Sequence, residues 1–486
     1  MIEIGDVMPC RKTGAFAIAF AVLLAPAAAR ANGAFPDSQS IMTPDARPHA
    51  IRLATNFGII SSDDDGQTWV WSCERPETNN GSLYQMGPAP ANRIYTISSE
   101  GLAFSDDDSC GWALAGGTAT GAAMLDAFPD PTNASRVMAV AATPLDGGGA
   151  SYEVLESSDG GATFGAARYT AATGDNITGI EIARSAPMTV YAAMTSGTAF
   201  APKLARTTNG GGSWQVEDLS AKLPAKTTLI RIIAVDPTNA DRVFLRTHST
   251  AGDTFSVAVA GTGSAGFTVT TPLTFPGGIL SAYARLASGT IVVAGVVGLN
   301  EVGYRSGDAA ASFQALPTPP SVRALSARGS TLYVVADNVA DGYAVGTSVD
   351  EGQSWQALMN YDQVAAIQSC VKATCQDDCV NRAAAGQWSE DFCAATAPAP
   401  HDAGGEPPDA GTPPPDAAPK DSGSGGSGAG AGGSGGGSGG GSGSDASVSP
   451  PAKSGCASCA VGPPGPPAVL ALVFVVVLAL SRRRRL

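Results

Sequence analysis

Histidine is scarce in this sequence of 486 residues, with only three copies, at His49, His248 and His401. They are too few and too scattered to form a metal site or a Ser-His-Asp relay. The sequence also lacks a GxSxG elbow, an HExxH motif and a phosphate-binding glycine loop. These absences argue against the common histidine-dependent hydrolases and nucleotide enzymes, and the sequence predicts no cofactor.

Charge is sparse as well, since charged residues make up 15% of the chain and the net charge is −14. No basic patch precedes the arginines at 482–485. We therefore expect neither a nucleic-acid partner nor binding to anionic membrane surfaces. Glycine (60 residues) and proline (34) are abundant instead, which indicates a chain rich in turns.

An eight-residue box, Ser/Thr-x-Asp/Asn-x-Gly-x-Ser/Thr-aromatic, recurs along the chain. Its final aromatic position returns every 42 to 53 residues. Four copies keep the full pattern: Ser62–Trp69, Ser157–Phe164, Thr207–Trp214 and Ser348–Trp355. Two copies are degenerate, Ser105–Trp112 and Ser306–Phe313. The seventh, Ala260–Phe267, keeps only the small-residue turn and the aromatic. A period of this length is typical of propeller blades or solenoid units.

The box predicts a turn between two strands. Ser62 opens the first copy, an Asp or Asn two residues later accepts backbone hydrogen bonds, a Gly supplies a positive φ, and the aromatic points into the core. The predicted turn caps are Asp64, Asp107, Asp159, Asn209, Asp308 and Asp350. The glycines are Gly66, Gly161, Gly211 and Gly352, and the core aromatics are Trp69, Trp112, Phe164, Trp214, Phe313 and Trp355.

Each unit holds four short runs rich in β-branched and aromatic residues, without helical periodicity. Seven such units predict an all-β, seven-bladed propeller over residues 38–361. The innermost strand of the first blade is either Ser38–Thr43 or, from the far end of the propeller, Val364–Ile367. The sequence leaves both open.

The boxes resemble the Asp-box (BNR) repeats of sialidases, sortilin-type ectodomains, exo-xyloglucanases and photosystem II assembly factors. The resemblance covers roughly residues 38–358 and implies the propeller fold. In those families the box lies on the rim of a blade, away from the face that binds ligands. The resemblance therefore implies a structural role for the box carboxylates.

No catalytic constellation accompanies the fold. A glycosidase needs two facing carboxylates, and nothing in the sequence pairs any two of its candidates, Asp126, Glu181, Asp236, Asp253 and Glu301. A sialidase resemblance would require an Arg-Ile-Pro phrase near the start, whereas Arg52 is followed by Leu-Ala.

The acidic runs at 63–65 and 106–108 do not fit the ligand pattern of a calcium-binding loop. Aligning Gly66 with the sixth position of an EF-type loop places Ser61 first and Ser72 twelfth, where carboxylates are needed. The sequence therefore predicts no metal site.

The first 31 residues predict a signal peptide. Arg11 and Lys12 precede an apolar run at 15–24, and Ala29-Arg30-Ala31 forms the cleavage site. Met8 is a better start than Met1, because Glu3 and Asp6 suit a signal poorly. The chain is thus expected to be exported.

Export favours disulfides over free thiols. Cys73 and Cys110 lie at equivalent places in adjacent blades, and we expect them to pair. Residues 362–393 form a Cys-rich module with Cys370, Cys375, Cys379 and Cys393, of which Val364–Ala384 is predicted helical. On a helix Cys375 and Cys379 lie one turn apart, so each should pair outside that turn; three connectivities remain, and a zinc site is the weaker alternative.

Residues 394–453 are Pro-, Gly- and Ser-rich and predict a disordered linker. Residues 454–486 then join Cys456 and Cys459 to an apolar run at 468–480 and an arginine cluster at 482–485. This tail resembles the MYXO-CTERM sorting tails of myxobacterial surface proteins. The resemblance implies cleavage near the cysteines, lipid attachment at Cys456 before Cys459, and display on the outer surface. A permanent transmembrane anchor is the alternative, with the arginines inside.

Together these features predict a monomeric propeller, anchored to the membrane through its tail, that binds an unknown surface protein or glycan without catalysis. A secreted glycoside hydrolase on the same scaffold is the alternative. A surface spacer without any ligand is the third possibility.

Overall fold

The computed structural model describes residues 38–397, apart from residues 45, 80, 147, 264 and 387. The predicted signal peptide, nearly all of the predicted linker, and the tail with Cys456 and Cys459 lie outside the described residues. No helix in the described part is long and apolar enough to cross a membrane.

Seven sheets, each built on four antiparallel strands, form the blades of a β-propeller, which confirms the predicted all-β, seven-bladed architecture. Their strands are as follows: blade 1, β1 (Ser38–Met42), β2 (Ile51–Thr55), β3 (Gly58–Ser62) and β4 (Trp69–Cys73); blade 2, β5 (Ser82–Met86), β6 (Ile94–Ser98), β7 (Gly101–Ser105) and β8 (Ala113–Leu114); blade 3, β10 (Ala123–Pro129), β11 (Val137–Pro144), β12 (Ala150–Ser157) and β14 (Tyr169–Thr170); blade 4, β15 (Asp175–Ile182), β16 (Val190–Ser196), β17 (Ala201–Thr207) and β18 (Gln215–Asp218). Blade 5 has β19 (Leu229–Val235), β20 (Arg242–Ser249), β21 (Gly252–Ala260) and β22 (Phe267–Pro276); blade 6, β23 (Gly278–Arg285), β24 (Ile291–Val297), β25 (Asn300–Ser306) and β26 (Gln314–Ala315); blade 7, β27 (Ala324–Arg328), β28 (Thr331–Val335), β29 (Val345–Ser348) and β30 (Gln356–Met359). Between blades 2 and 3, β9 (Gly116–Gly117) pairs in parallel with β13 (Thr163–Phe164).

The first strand of each blade lies nearest the central axis, because these strands contact one another around the ring. Apolar strands such as β11 and β24 are buried along most of their length, so the core lies between neighbouring blades. All seven boxes join the third strand of a blade to its fourth. The sequence period is therefore one blade.

The N-terminal segment, and not Val364–Ile367, is the innermost strand of blade 1. β1 is the first strand of blade 1 and contacts β27 of blade 7, where Thr43 Oγ1 lies 2.7 Å from Ser326 Oγ. β31 (Val364–Ile367) pairs in parallel with the outer strand β4 as a fifth strand of the same blade. The C-terminal segment thus seals blade 1 from outside.

The helix of the Cys-rich module begins later than predicted. Two 3-10 turns (Tyr361–Gln363 and Ser369–Val371) flank β31, and the helix α1 spans only Lys372–Ala384, followed by the short α2 (Glu390–Ala394). The prediction of helix from Val364 was wrong because the free edge of β4 recruits this segment as a strand, which buries Ala366 and Ile367 completely.

The predicted Cys73–Cys110 disulfide is also wrong. Cys73 pairs with Cys375 and Cys110 with Cys370, so the module is bound covalently to blades 1 and 2, while Cys379 pairs with Cys393. Each propeller cysteine meets a cysteine of the module because β31 brings that module onto the outer edge of blade 1. The prediction that Cys375 and Cys379 pair outside their own helical turn is confirmed.

Candidate functional site

The box residues form a repeated hydrogen-bonded turn. In the first box Ser62 Oγ donates to Asp64 Oδ1 (2.7 Å) and accepts from Gly66 N (2.9 Å). Asp64 accepts from Thr68 N at Oδ1 (2.9 Å) and from Thr68 Oγ1 at Oδ2 (2.6 Å). Asp159, Asp308 and Asp350 repeat these bonds, Asn209 repeats the backbone bond, and Asp107 accepts from Gly111 N.

These hydrogen bonds govern the titration of the carboxylates. Bonds from Ser157 and Thr163 lower the pKa of Asp159 to about 2. Bonds from the corresponding hydroxyls and backbone groups lower the pKa values of Asp308 and Asp350 to about 2 as well. A carboxylate committed to its own turn in this way is a turn cap and has no spare capacity for chemistry.

Two successive positions of the turn have positive φ, one more than the sequence predicted. In the first box these are Asp65 (58°) and Gly66 (86°), and the full copies repeat the pattern at Gly161, Gly211 and Gly352. In the degenerate boxes Ser109 (71°) and Ala310 (69°) adopt this conformation with a side chain, at a cost of roughly 1–2 kcal/mol each.

The box aromatics are less uniform than predicted. Trp69 and Phe164 are almost fully buried. Trp112, Trp214, Phe313 and Trp355 are only partly buried and pack against the rims of core clusters. Their fourth strands are short or lie at the outer edge of the blade, so less of the protein covers the rings.

The acidic runs are matched by arginines. Arg47 and the fully buried Arg52 both contact Asp63 and Asp108, which joins the boxes of blades 1 and 2. Arg52 thus forms ion pairs that join two neighbouring blades. Within the described ranges, no group of three His, Cys, Asp or Glu side chains could hold a metal ion.

The propeller has two distinct faces. In an antiparallel sheet successive connections alternate between its two ends. The boxes and the connections from first to second strands therefore lie on one side, which we name the box face. The connections from second to third strands lie on the other side, which we name the loop face.

The loop face carries isolated, exposed apolar side chains at its hairpin tips. Leu299 is 98% exposed in blade 6 and Val339 is 86% exposed in blade 7, and Leu145 and Phe200 are about half exposed in blades 3 and 4. All four lie in the connections between second and third strands. Sequence reasoning missed them, since a lone Leu or Val in a loop carries no periodic signal.

Bulges interrupt the first strands of blades 3 to 6, and in blades 3 and 4 a carboxylate of this strand contacts the next blade. Asp126 accepts from Ile180 N (2.8 Å) and from Ala127 N (2.9 Å), and Glu181 accepts from Val235 N (2.7 Å). Two of the carboxylates considered for glycoside hydrolysis therefore connect neighbouring blades near the axis.

The environment of these two carboxyls favours their neutral forms. Burial raises the pKa of Asp126 to about 6, although the two N–H groups and the charge of Arg231 oppose it. Burial raises the pKa of Glu181 to about 8, and the nearby charge of Asp126 adds to this effect. Both side chains are surrounded by protein and remain partly accessible to solvent.

The remaining candidate carboxylates serve other contacts. Asp253 accepts from Arg246, His248 and Leu280 N, and it lies at the loop-face end of β21. Asp236 caps the turn after β19 and contacts Arg242 and Arg285 on the box face. Glu301 lies in β25, in a different part of its blade.

Comparison with known proteins identifies no relative by sequence: no protein-family model and no curated protein matches the chain. Among solved structures the chain is similar to a GH74 enzyme of Niastella koreensis (14% identity, TM-score 0.47), covering 67% of this chain and 55% of that one. It is similar to YCF48 from Cyanidioschyzon merolae (13% identity, TM-score 0.42), and the match covers 62% of this chain and 93% of that one. It is also similar to a puromycin-hydrolyzing peptidase of Mycobacterium tuberculosis (13% identity, TM-score 0.46), and the match covers 70% of this chain and 55% of that one.

At these identities the likeness concerns the propeller fold alone. The chain spans about half the length of the GH74 enzyme and of the peptidase.

Proposed function

We propose that this chain is an exported, surface-anchored Asp-box propeller whose loop face binds a protein partner without catalysis. The observation that carries the proposal is the set of exposed apolar side chains on the hairpin tips of four blades, led by Leu299 and Val339. Exposed apolar groups cost free energy in water, and more of them lie in the connections of the loop face than in those of the box face, where Met188 and Val349 are exposed.

The chemistry of this face favours a protein over a glycan. Sugar rings are recognised by flat aromatic side chains, and among the large apolar residues exposed in the described part Phe200 is the single aromatic. Aliphatic tips such as Leu299 and Val339 instead suit insertion between the side chains of a protein. Hairpin tips projecting from a rigid scaffold are also the usual position of binding residues.

The hydrogen bonds of the axial carboxyls support a role without catalysis. Both oxygens of Asp126 accept backbone N–H groups, so this residue is poorly suited to act as a nucleophile or general base. The box carboxylates are committed to their own turns. The carboxyls with the most perturbed pKa values therefore join blades together.

Binding is tested with the full chain and a matched pair of variants. Leu299→Asp/Val339→Asp places charges on the loop face, whereas Val349→Asp changes a 76% exposed residue of a box turn on the opposite face. We expect wild type and Val349→Asp to bind saturably to cells of the producing organism and the double variant to lose at least tenfold in affinity. Equal binding of all three would contradict the proposal, and binding abolished by glycosidase but not protease treatment of the cells would favour a glycan.

A glycoside hydrolase remains the second candidate, on one observation. Asp126 and Glu181 lie within electrostatic reach of each other beside the axis, and the pKa of Glu181, at about 8, is that of a protonated acid at neutral pH. Incubation with β-glucan, xyloglucan and sialylated oligosaccharides tests it. Hydrolysis that Glu181→Gln abolishes would establish the enzyme and overturn the binding-only proposal.

Surface anchoring is tested by the intact mass of the protein from its native membrane fraction. A mass that ends near Cys456 and includes acyl groups supports a sorted lipoprotein. A mass that retains residues 482–486 replaces sorting with a permanent membrane anchor.

A further inference from the structure

A small aromatic pocket lies where the Cys-rich module meets blade 1, beside the loop-face connection between β2 and β3 that contains Phe57. On its blade 7 side Tyr361 N donates to Asn338 Oδ1 (3.3 Å), next to the tip residue Val339. Phe57 and Trp71 form its floor, Tyr361, Trp388 and Phe392 form its walls, and the carboxylate of Asp362 lies on its rim. Its volume is about 150 Å³. A drug-sized ligand usually needs at least about 300 Å³, so this pocket fits a single chemical group.

The rings around the pocket meet at steep angles. Trp388 lies at 62° to Trp71 (5.1 Å between centroids) and at 79° to Phe392 (5.3 Å). Phe57 lies at 75° to Tyr361 (5.6 Å). Rings at these distances touch one another edge to face, and the surfaces that they leave free line the pocket from several sides. We name this lining the aromatic cage.

The cage is pre-organised. The indole Nε1 of Trp388 donates to the carbonyl of Cys379 (3.2 Å), and the Cys379–Cys393 disulfide joins the two helices on either side of it. Trp71 donates from Nε1 to the carbonyl of Phe57 (3.0 Å). A ligand that enters therefore need not bear the cost of ordering these rings.

The charges around the opening favour a cation. Asp362 is exposed at the rim, and Glu390 and Asp391 occupy the exposed first turn of α2. On the helix side the guanidinium of Arg382 lies over the Phe57 and Trp388 rings (5.8 and 5.9 Å) while its Nε donates to Asp378. The rings thus already attract one cation, whose charge Asp378 offsets.

We propose that this pocket binds a methylated ammonium group. Such a group has a positive charge but no N–H donor when fully methylated, so it loses little on leaving water and gains from aromatic rings around it. An unmethylated ammonium would instead leave most of its donors without acceptors, since the pocket is lined mainly by aromatic and aliphatic carbon, with Asp362 and Ser389 as its polar residues. Asp362 supplies the complementary charge at the opening.

The test is titration of the full chain with choline, monitored by tryptophan fluorescence and calorimetry. 3,3-Dimethylbutan-1-ol, the neutral carbon isostere of choline, is the matched ligand control. We expect saturable binding of choline and at least tenfold weaker binding of the isostere. Equal binding of the two, or no binding of choline, overturns the proposal.

Variants locate the site. Trp388→Leu should abolish the choline response, whereas Trp214→Leu, which removes a partly buried tryptophan of blade 4, should leave it unchanged. Asp362→Asn alters an exposed rim residue and should weaken binding threefold or more without affecting folding. Choline binding that survives both Trp388→Leu and Asp362→Asn overturns the assignment.

The source of the group is distinguished in a separate arm. Nε-trimethyl-lysine carries the same group on a protein side chain, with lysine as its control. Saturation by choline alone indicates a small-molecule or head-group ligand, and tighter binding of trimethyl-lysine indicates a modified protein. Either result supports the shared chemistry.

Discussion

At the scale of single residues, stability and titration depend on where each carboxylate is held. Asp64 is fully buried, and its pKa is lowered because hydrogen bonds from Thr68, Ser62 and Gln67 outweigh the effect of burial. Glu181 shows the opposite balance, since it has one backbone donor to offset burial beside Asp126. The same functional group therefore favours folding in its charged form at one place and in its neutral form at the other.

Asp64→Ala should destabilise the propeller by about 1–3 kcal/mol, because it leaves buried donors of Ser62 and Thr68 without their acceptor. Urea unfolding measures the change. Asp64→Asn is the control: Asn209 already fills this position in blade 4, so the amide should retain most of the stability. An Asn variant as unstable as the Ala variant would contradict the role of the Oδ1 atom.

Glu181→Gln should stabilise the protein increasingly as pH rises. The folded pKa of about 8 exceeds the ordinary value of 4.5, so the contribution of Glu181 is complete below pH 4.5 and is lost as pH rises through 8. Gln keeps the acceptor for Val235 N and never ionises. Since a tenfold change in proton affinity is about 1.4 kcal/mol, the variant should exceed wild type by a few kcal/mol at pH 9 and match it at pH 4.5. A difference independent of pH would show that Glu181 is not held neutral.

At the scale of elements, local rules predicted more than long-range pairing. The boxes, their period and the strands were predictable because each depends on neighbouring residues, such as Ser348 with Asp350 and Gly352. The helix start at Lys372 was not, because the free edge of β4 overrode local propensity in Val364–Ile367. The loop tip Leu299 was equally unpredictable, since its exposure becomes known only with the fold.

The predicted Cys73–Cys110 disulfide was wrong for the same reason, since the true partners come from a distant part of the chain. Cys73 and Cys110 are near each other in sequence and occupy equivalent blade positions, but the module arrives from about 300 residues away and supplies a closer partner to each. β31 and two interdomain bridges together fasten the end of the propeller to its beginning. The ring itself closes where β1 meets β27, and the module fastens the C-terminal end to the outer edge of blade 1.

Peptide mapping without reduction should recover Cys73–Cys375 and Cys110–Cys370, and recovery of Cys73–Cys110 would contradict this account. Cys73→Ser/Cys375→Ser should lower stability by about 2–5 kcal/mol, because it removes one of the two disulfides that hold the module to the propeller. Cys379→Ser/Cys393→Ser, which opens a separation of 14 residues, is the comparison. In this second variant we expect the two short helices to loosen while β31 stays protected from hydrogen exchange. In the Cys73→Ser/Cys375→Ser variant we expect β31 to lose that protection.

At the scale of the whole molecule, the architecture separates structure from interaction. The box face is occupied by turns whose carboxylates and arginines satisfy one another, as Arg52 does with Asp63 and Asp108. Near the axis, hydrogen bonds from Asp126 and Glu181 join neighbouring blades. Four strongly exposed apolar side chains lie in loop-face connections, against two, Met188 and Val349, in box-face connections. The proposal of a protein-binding propeller depends on this difference in number between the two faces.

Position-specific photo-crosslinking on intact cells tests this claim most directly. A benzophenone amino acid is placed at position 299 on the loop face, or at position 349 on the box face as the matched control, and adducts are identified by mass spectrometry. The account predicts one recurrent protein adduct from position 299 and none from position 349. Adducts of equal yield from both positions, or a specific adduct from position 349 alone, would contradict it.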